Sequence, residues 1–235
     1  MIFPGVPSLF FLAFLLVLVP LAARRTAQRL RKEVPGKPVS RLTYWRSAAV
    51  FQVFLFFLAW RTGATFDYKI FAVRHVTATD LLLSAAALAL CFGFRELARR
   101  TRSEEEFKGL SVFQRVPRTG EEFKWYGMAV VGASVAEEAA YRGVGWSILW
   151  YSLGDPWISA ALMSVAFALA HWNQGWKSGV TITAFAAIFH GLVALTETLV
   201  FAMVVHAAYD FIAGASIQRT ARRLFPEQAA NGDQP

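Results

Sequence analysis

Cysteine is nearly absent: one residue, Cys91, in a chain of 235. A single thiol inside an apolar stretch excludes a disulfide framework and every zinc motif built on paired cysteines. Charge is scarce as well, at 17% of residues, and acids are the scarcer sign, 16 Asp+Glu against 24 Lys+Arg. There is no P-loop, GxGxxG turn, HExxH helix or internal repeat. The common nucleotide-phosphate, dinucleotide and zinc-helix readings therefore go. What is plentiful is apolar: 56% hydrophobic residues, with 21 Phe and 8 Trp, and a mean hydropathy of +0.40. That composition is too apolar for disorder.

The apolar residues are gathered into runs, and this excludes an ordinary soluble domain. Seven candidate spans stand out: 6–23, 47–60, 76–94, 125–136, 156–170, 178–195 and 198–215. The first three each approach the roughly 20 residues that cross a hydrocarbon layer about 30 Å thick. A short segment at 146–153 would make an eighth, or bend back to complete a neighbouring helix. The sequence therefore predicts an all-α, polytopic transmembrane bundle of seven to eight spans. The first run has no positive charge before it, and Arg24 and Arg25 follow it. That order favours an uncleaved span over a signal peptide.

With seven crossings, 20 of the 24 positive residues fall on one side of the membrane. They lie between spans one and two, between spans three and four, at Lys177, and after the last span. Arg61, Lys69 and Arg74 lie on the other side, and Arg142 is within the membrane region. By the positive-inside rule the N-terminus is expected outside and the C-terminus in the cytoplasm. Topology and contact with anionic lipid thus account for the excess of basic charge, and a nucleic-acid partner is not expected. The 95–124 loop mixes signs and reads as a solvated helical linker.

Ionisable residues inside spans are costly, so each is a functional candidate. They cluster in the second half: Glu137, Glu138, Arg142, His171, His190, His206 and Asp210. Glu138 and Arg142 are spaced i,i+4 with the acid first, the favourable order for a helix ion pair. Glu137 points about 100° away and has no partner on its own helix. Either it serves as a proton-exchanging carboxylate, or both glutamates lock the bundle through Arg142. Phe167 and His171 share a helix face, although a histidine followed by Trp172 also suits an interfacial position. His206 and Asp210 repeat the i,i+4 spacing in mid-span. At 1.5 Å per residue, Glu137 and His206 lie about 18 Å from the inner ends of their spans and His171 only about 6 Å. A funnel opening to the positive side would reconcile the levels. His190, which precedes Gly191, reads as a satisfied packing position.

Read in order, Glu137-Glu138-Ala-Ala-Tyr-Arg142, Phe167-Ala-Leu-Ala-His171 and His206-Ala-Ala-Tyr-Asp210 look like EExxxR, FxxxH and HxxxN/D. On successive membrane helices they resemble the CPBP intramembrane proteases. That family includes CAAX-processing endopeptidases and bacterial Abi and bacteriocin-related proteins. The resemblance implies that Glu137 activates water with His171, that His206 and Asp210 stabilise the oxyanion, and that Glu138, Arg142 and Phe167 support the site. Asp210 departs from the frequent Asn and donates a hydrogen bond only when protonated. The resemblance also leaves metal use open. Glu137, His171 and His206 are a candidate zinc set, with a metal-free route as the reading carried forward.

The expected organisation is N-terminal spans and basic loops at 1–124, a catalytic helical core at 125–215 and a polar cytoplasmic tail at 216–235, frayed at its end. The expected location is a multi-pass position in the plasma (inner) membrane. The partners are membrane lipids and a peptide or lipidated protein substrate. The competing reading is a non-enzymatic membrane protein, a proton-coupled transporter or a scaffold or immunity protein, using the same polar cavity.

Overall fold

The computed structural model describes residues 5–31 and 40–225. Lys32, Lys37 and the terminal tail at 226–235, named above for charge and fraying, lie outside them. Every element among the described residues is helical.

The chain begins with α1 (Val6–Ala13), passes through a π-helical stretch (Phe14–Leu18) and continues as α2 (Val19–Arg31). Next come α3 (Arg41–Ala64) and α4 (Ala78–Arg100), then the short α5 (Glu104–Lys108) and α6 (Ser111–Gln114). The second half holds α7 (Gly120–Glu137), a π-helical stretch (Glu138–Gly145), α8 (Trp146–Leu153), α9 (Pro156–Ala170), α10 (Trp176–Thr196) and α11 (Leu199–Leu224). Among the described residues, five helices are long and apolar enough to cross a membrane: Val6–Gln28, Arg41–Ala64, Ala78–Arg100, Trp176–Thr196 and Leu199–Leu224. Two further runs fall outside that set for plain reasons. The α9 helix has only 15 residues, and the helix begun by α7 carries Glu137, Glu138 and Arg142 at its centre. The 146–153 segment does not turn back; α8 completes the α7 helix through the π-helical stretch.

Helix ends are written locally. Thr77 and Asp80 form a capping box at the start of α4, and Arg74 pairs with Asp80 at 2.9 Å. Arg74 Nε also donates to the Thr196 carbonyl, and the Thr198 hydroxyl to that of Ala72. The 65–77 loop is thereby stapled to the α10–α11 turn. At the opposite, arginine-rich end, Thr119 and Glu122 cap α7. Arg41 pairs with Glu122 at 3.2 Å and Arg46 with Glu121, tying α3 to α7.

The 95–124 linker is less solvated than its charge pattern suggests. Glu122 is buried in its capping box. Phe113 and Val116 are buried in a small cluster against Ala221 of α11. The apolar positions between the charges decide this, because they give the linker a face that docks on a neighbouring helix. The acids of α5 stay at the surface, where Lys177 holds the Glu106 carboxyl below its ordinary range by hydrogen bonding.

The centre is built on small residues. Ala139, Ala140, Gly143 and Gly145 in the π-helical stretch are buried, letting the Phe14–Leu18 stretch, α9 and α11 approach its backbone. A Cβ on Gly145 would lie 2.6 Å from the Ala140 carbonyl oxygen and from Met163 Cε, and 3.0 Å from Leu15 Cδ1. Backbone oxygen cannot step aside, so Gly145→Ala should destabilise the bundle by about 1–3 kcal/mol. Thermal unfolding in detergent would show the loss as a lower melting temperature. The outer surface carries the opposite chemistry: Val50, Val53, Phe54 and Phe57 on α3 and Leu81, Leu82 and Leu90 on α4 are exposed. Water does not favour such a surface, and lipid does.

Candidate active site

Glu137, His171, His206 and Asp210 all line one cavity of about 710 Å³. Its wall runs from these residues toward Gln174 and Gln218, at the arginine-rich end of the bundle. The α9 helix has 15 residues, about 22 Å at 1.5 Å each, less than the ~30 Å of hydrocarbon. His171, its C-cap, lines the cavity although Trp172 beside it is exposed.

Glu137 ends α7 and is half-buried. It is not without a partner: Gln52 Nε2 on α3 donates to its Oε1 at 2.8 Å. Gly132 permits the approach, since a Cβ there would lie 3.0 Å from Gln52 Cβ. The Gln52 oxygen, buried in the same wall, has no hydrogen-bond partner. Sequence reasoning passed over Gln52 because it weighed only ionisable residues. The available signal was one amide in the otherwise apolar 47–60 run.

His171 Nδ1 lies 2.8 Å from the Phe167 carbonyl oxygen. A carbonyl only accepts, so Nδ1 carries the hydrogen and a neutral ring keeps a lone pair at Nε2. The Phe167 ring packs 4.6 Å from the imidazole and fixes its plane.

His206 is buried between two carboxylates. Its Nδ1 donates to Glu138 Oε1 at 2.8 Å, and its Nε2 is 3.5 Å from Asp210 Oδ2. The sequence pairing of His206 with Asp210 thus has a second, unforeseen member in Glu138, one layer below the cavity. Glu138 and Arg142 are fully buried and 3.2 Å apart, as the i,i+4 spacing predicts. No guanidinium N–H is aligned as a hydrogen bond. Aromatic faces supply the rest: Arg142 lies 4.2 Å from the Phe167 ring centroid and 5.5 Å from that of Phe189. Phe167 therefore supports both His171 and Arg142. Tyr126, packed over Gly214, donates to the Asp210 carbonyl at 3.1 Å and pins α11 to α7.

His190 is not part of this constellation. It lines a separate pocket of about 410 Å³ with Trp146, Trp150 and Glu197. Its Nε2 is buried without a hydrogen-bond partner, so the expectation of a satisfied histidine is corrected. It packs against the Trp146 ring instead of a polar group.

The candidate zinc set does not converge. Among the described residues no three His, Cys, Asp or Glu side chains are placed to share an ion. As placed, the donors do not fit a resident metal.

Residues 120–212 match the family described as Type II CAAX prenyl endopeptidase Rce1-like. That segment is similar to the family. The match contains Glu137, Glu138, Arg142, Phe167, His171, His206 and Asp210, and leaves α1 to α6 outside. This similarity and the five apolar helices among the described residues support an integral membrane protein. No curated protein and no solved structure gives a comparable match.

Proposed function

We propose that the chain is an intramembrane endopeptidase that hydrolyses a peptide bond with water activated by Glu137 and His171. The supporting observation is the gathering of Glu137, His171, His206 and Asp210 from three helices around one cavity. Glu137 takes the proton of the attacking water, His171 Nε2 accepts the water's second hydrogen, and Glu137 then passes its proton to the leaving amine as the C–N bond breaks. As the carbonyl carbon becomes tetrahedral, its oxygen gains negative charge. His206 Nε2–H faces that charge, and Glu138 behind Nδ1 holds the ring in place. A doubly protonated His206 has a carboxylate at each nitrogen. Asp210 therefore need not donate; it balances the ring's charge where an Asn would have supplied an amide.

The substrate we infer is a lipidated peptide or protein. The cavity wall is aromatic, with Tyr44, Phe51, Phe123, Tyr126, Phe185 and Phe211 contributing, a surface suited to an apolar chain beside an extended peptide. Charge asymmetry places the cavity mouth on the cytoplasmic side. The test is cleavage of a quenched farnesylated peptide by the purified protein in proteoliposomes, with products identified by mass. Release of the terminal fragment supports the reading. Proton-driven uptake with no cleaved peptide would replace it with transport.

Gln52 carries a prediction of its own. Its amide bonds an ionised group, an interaction typically worth about 1.5–3 kcal/mol. Gln52→Met keeps the length and removes the donor. The kcat should fall roughly ten- to hundredfold with KM and melting temperature little changed. A variant with wild-type kcat would show that Glu137 is oriented by its own helix alone.

A further inference from the structure

Among the described residues, Arg95 is the one arginine or lysine that lines the cavity, beside His171 and His206. It is half-buried on α4, and among the described residues no carboxylate pairs with it. Its neighbour Glu96 is taken by Arg99 at 2.7 Å and Arg100 at 3.1 Å. The two carboxylates of the cavity wall are engaged elsewhere, Glu137 with Gln52 and Asp210 with His206. Arg95 lines the same cavity as Glu137, His171, His206 and Asp210. Phe92, three residues before it, packs 5.1 Å from Tyr209, the residue preceding Asp210. A guanidinium in a cavity wall, with no carboxylate of the described chain beside it, is open to a ligand of opposite charge.

We infer that Arg95 binds the free C-terminal carboxylate of the peptide substrate, a proposal that rests on the endopeptidase reading above. The guanidinium fork matches a carboxylate with two parallel hydrogen bonds, which a lysine cannot reproduce. A carboxylate held at one point therefore selects which bond lies against Glu137 and His171. The enzyme would measure its cut from the chain end. This specificity device belongs to α4, outside the 120–212 segment that carries the chemistry.

The test compares two farnesylated peptides of one sequence, ending in a free carboxylate or a carboxamide. They are given to the wild-type protein, Arg95→Lys and Arg95→Gln. Wild type should prefer the acid by roughly tenfold or more in kcat/KM, expressed mainly in KM. The acid-to-amide ratio should be smaller in R95K and near one in R95Q. Equal cleavage of acid and amide by wild type overturns the role of Arg95 and leaves the protease reading standing. An R95Q protein that keeps the wild-type ratio does the same. Cleavage of neither peptide by wild type removes the protease reading and this proposal together. The wild-type ratio decides the matter even if R95Q does not fold.

Discussion

Glu137→Gln should abolish peptide cleavage while leaving the fold intact. The substitution keeps the side chain's volume, and its oxygen still accepts the hydrogen from Gln52 Nε2, 2.8 Å away in the native protein. What it removes is the ability to take a proton from water. Positioned general bases contribute about 10²–10⁴ in rate, or roughly 3–5 kcal/mol of barrier. The kcat should therefore drop by at least about a hundredfold. Melting temperature and binding of the uncut peptide should be little changed. Single-turnover cleavage beside a thermal melt checks both halves. Equal cleavage by variant and wild type would sink Glu137 as the base.

The largest effect on stability is expected at Arg142. Its side chain and that of Glu138 are both fully buried, with 3.2 Å between them. Arg142→Met fills much of the space but leaves Glu138 with a charge that only His206 can offset. Removing one partner of a buried pair typically costs about 3–5 kcal/mol. The variant should melt well below wild type in detergent. Adding Glu138→Gln should recover part of the loss, because the uncompensated charge is then gone. The double variant should remain slow in cleavage, since the carboxylate behind His206 Nδ1 is also gone. If R142M melts with wild type, the pair is not what holds the π-helical stretch.

Much of the local chemistry was legible because it follows helical spacing. Glu138 with Arg142, Phe167 with His171, and His206 with Asp210 each lie one turn apart. The helical class was equally legible from the apolar runs, and the bounds of α8 and α9 match the segments read from sequence. Longer-range relations were not. Gln52 and Glu137 are separated by 85 residues, and His206 and Glu138 by 68. No periodicity within one helix reports which face of another it meets.

By itself the sequence determined the solvent of this protein, the helices that meet it and the few polar residues that resist it. Apolar runs and the lopsided basic charge follow from transfer energetics, which act on each segment separately. Only the tertiary structure decided that His206 stands between two carboxylates, that Gln52 supports Glu137 and that Arg95 faces the cavity unpaired. Those outcomes depend on close approach between helices at Gly132 and Gly214. Packing between distant segments sets them, and composition and spacing along one segment do not.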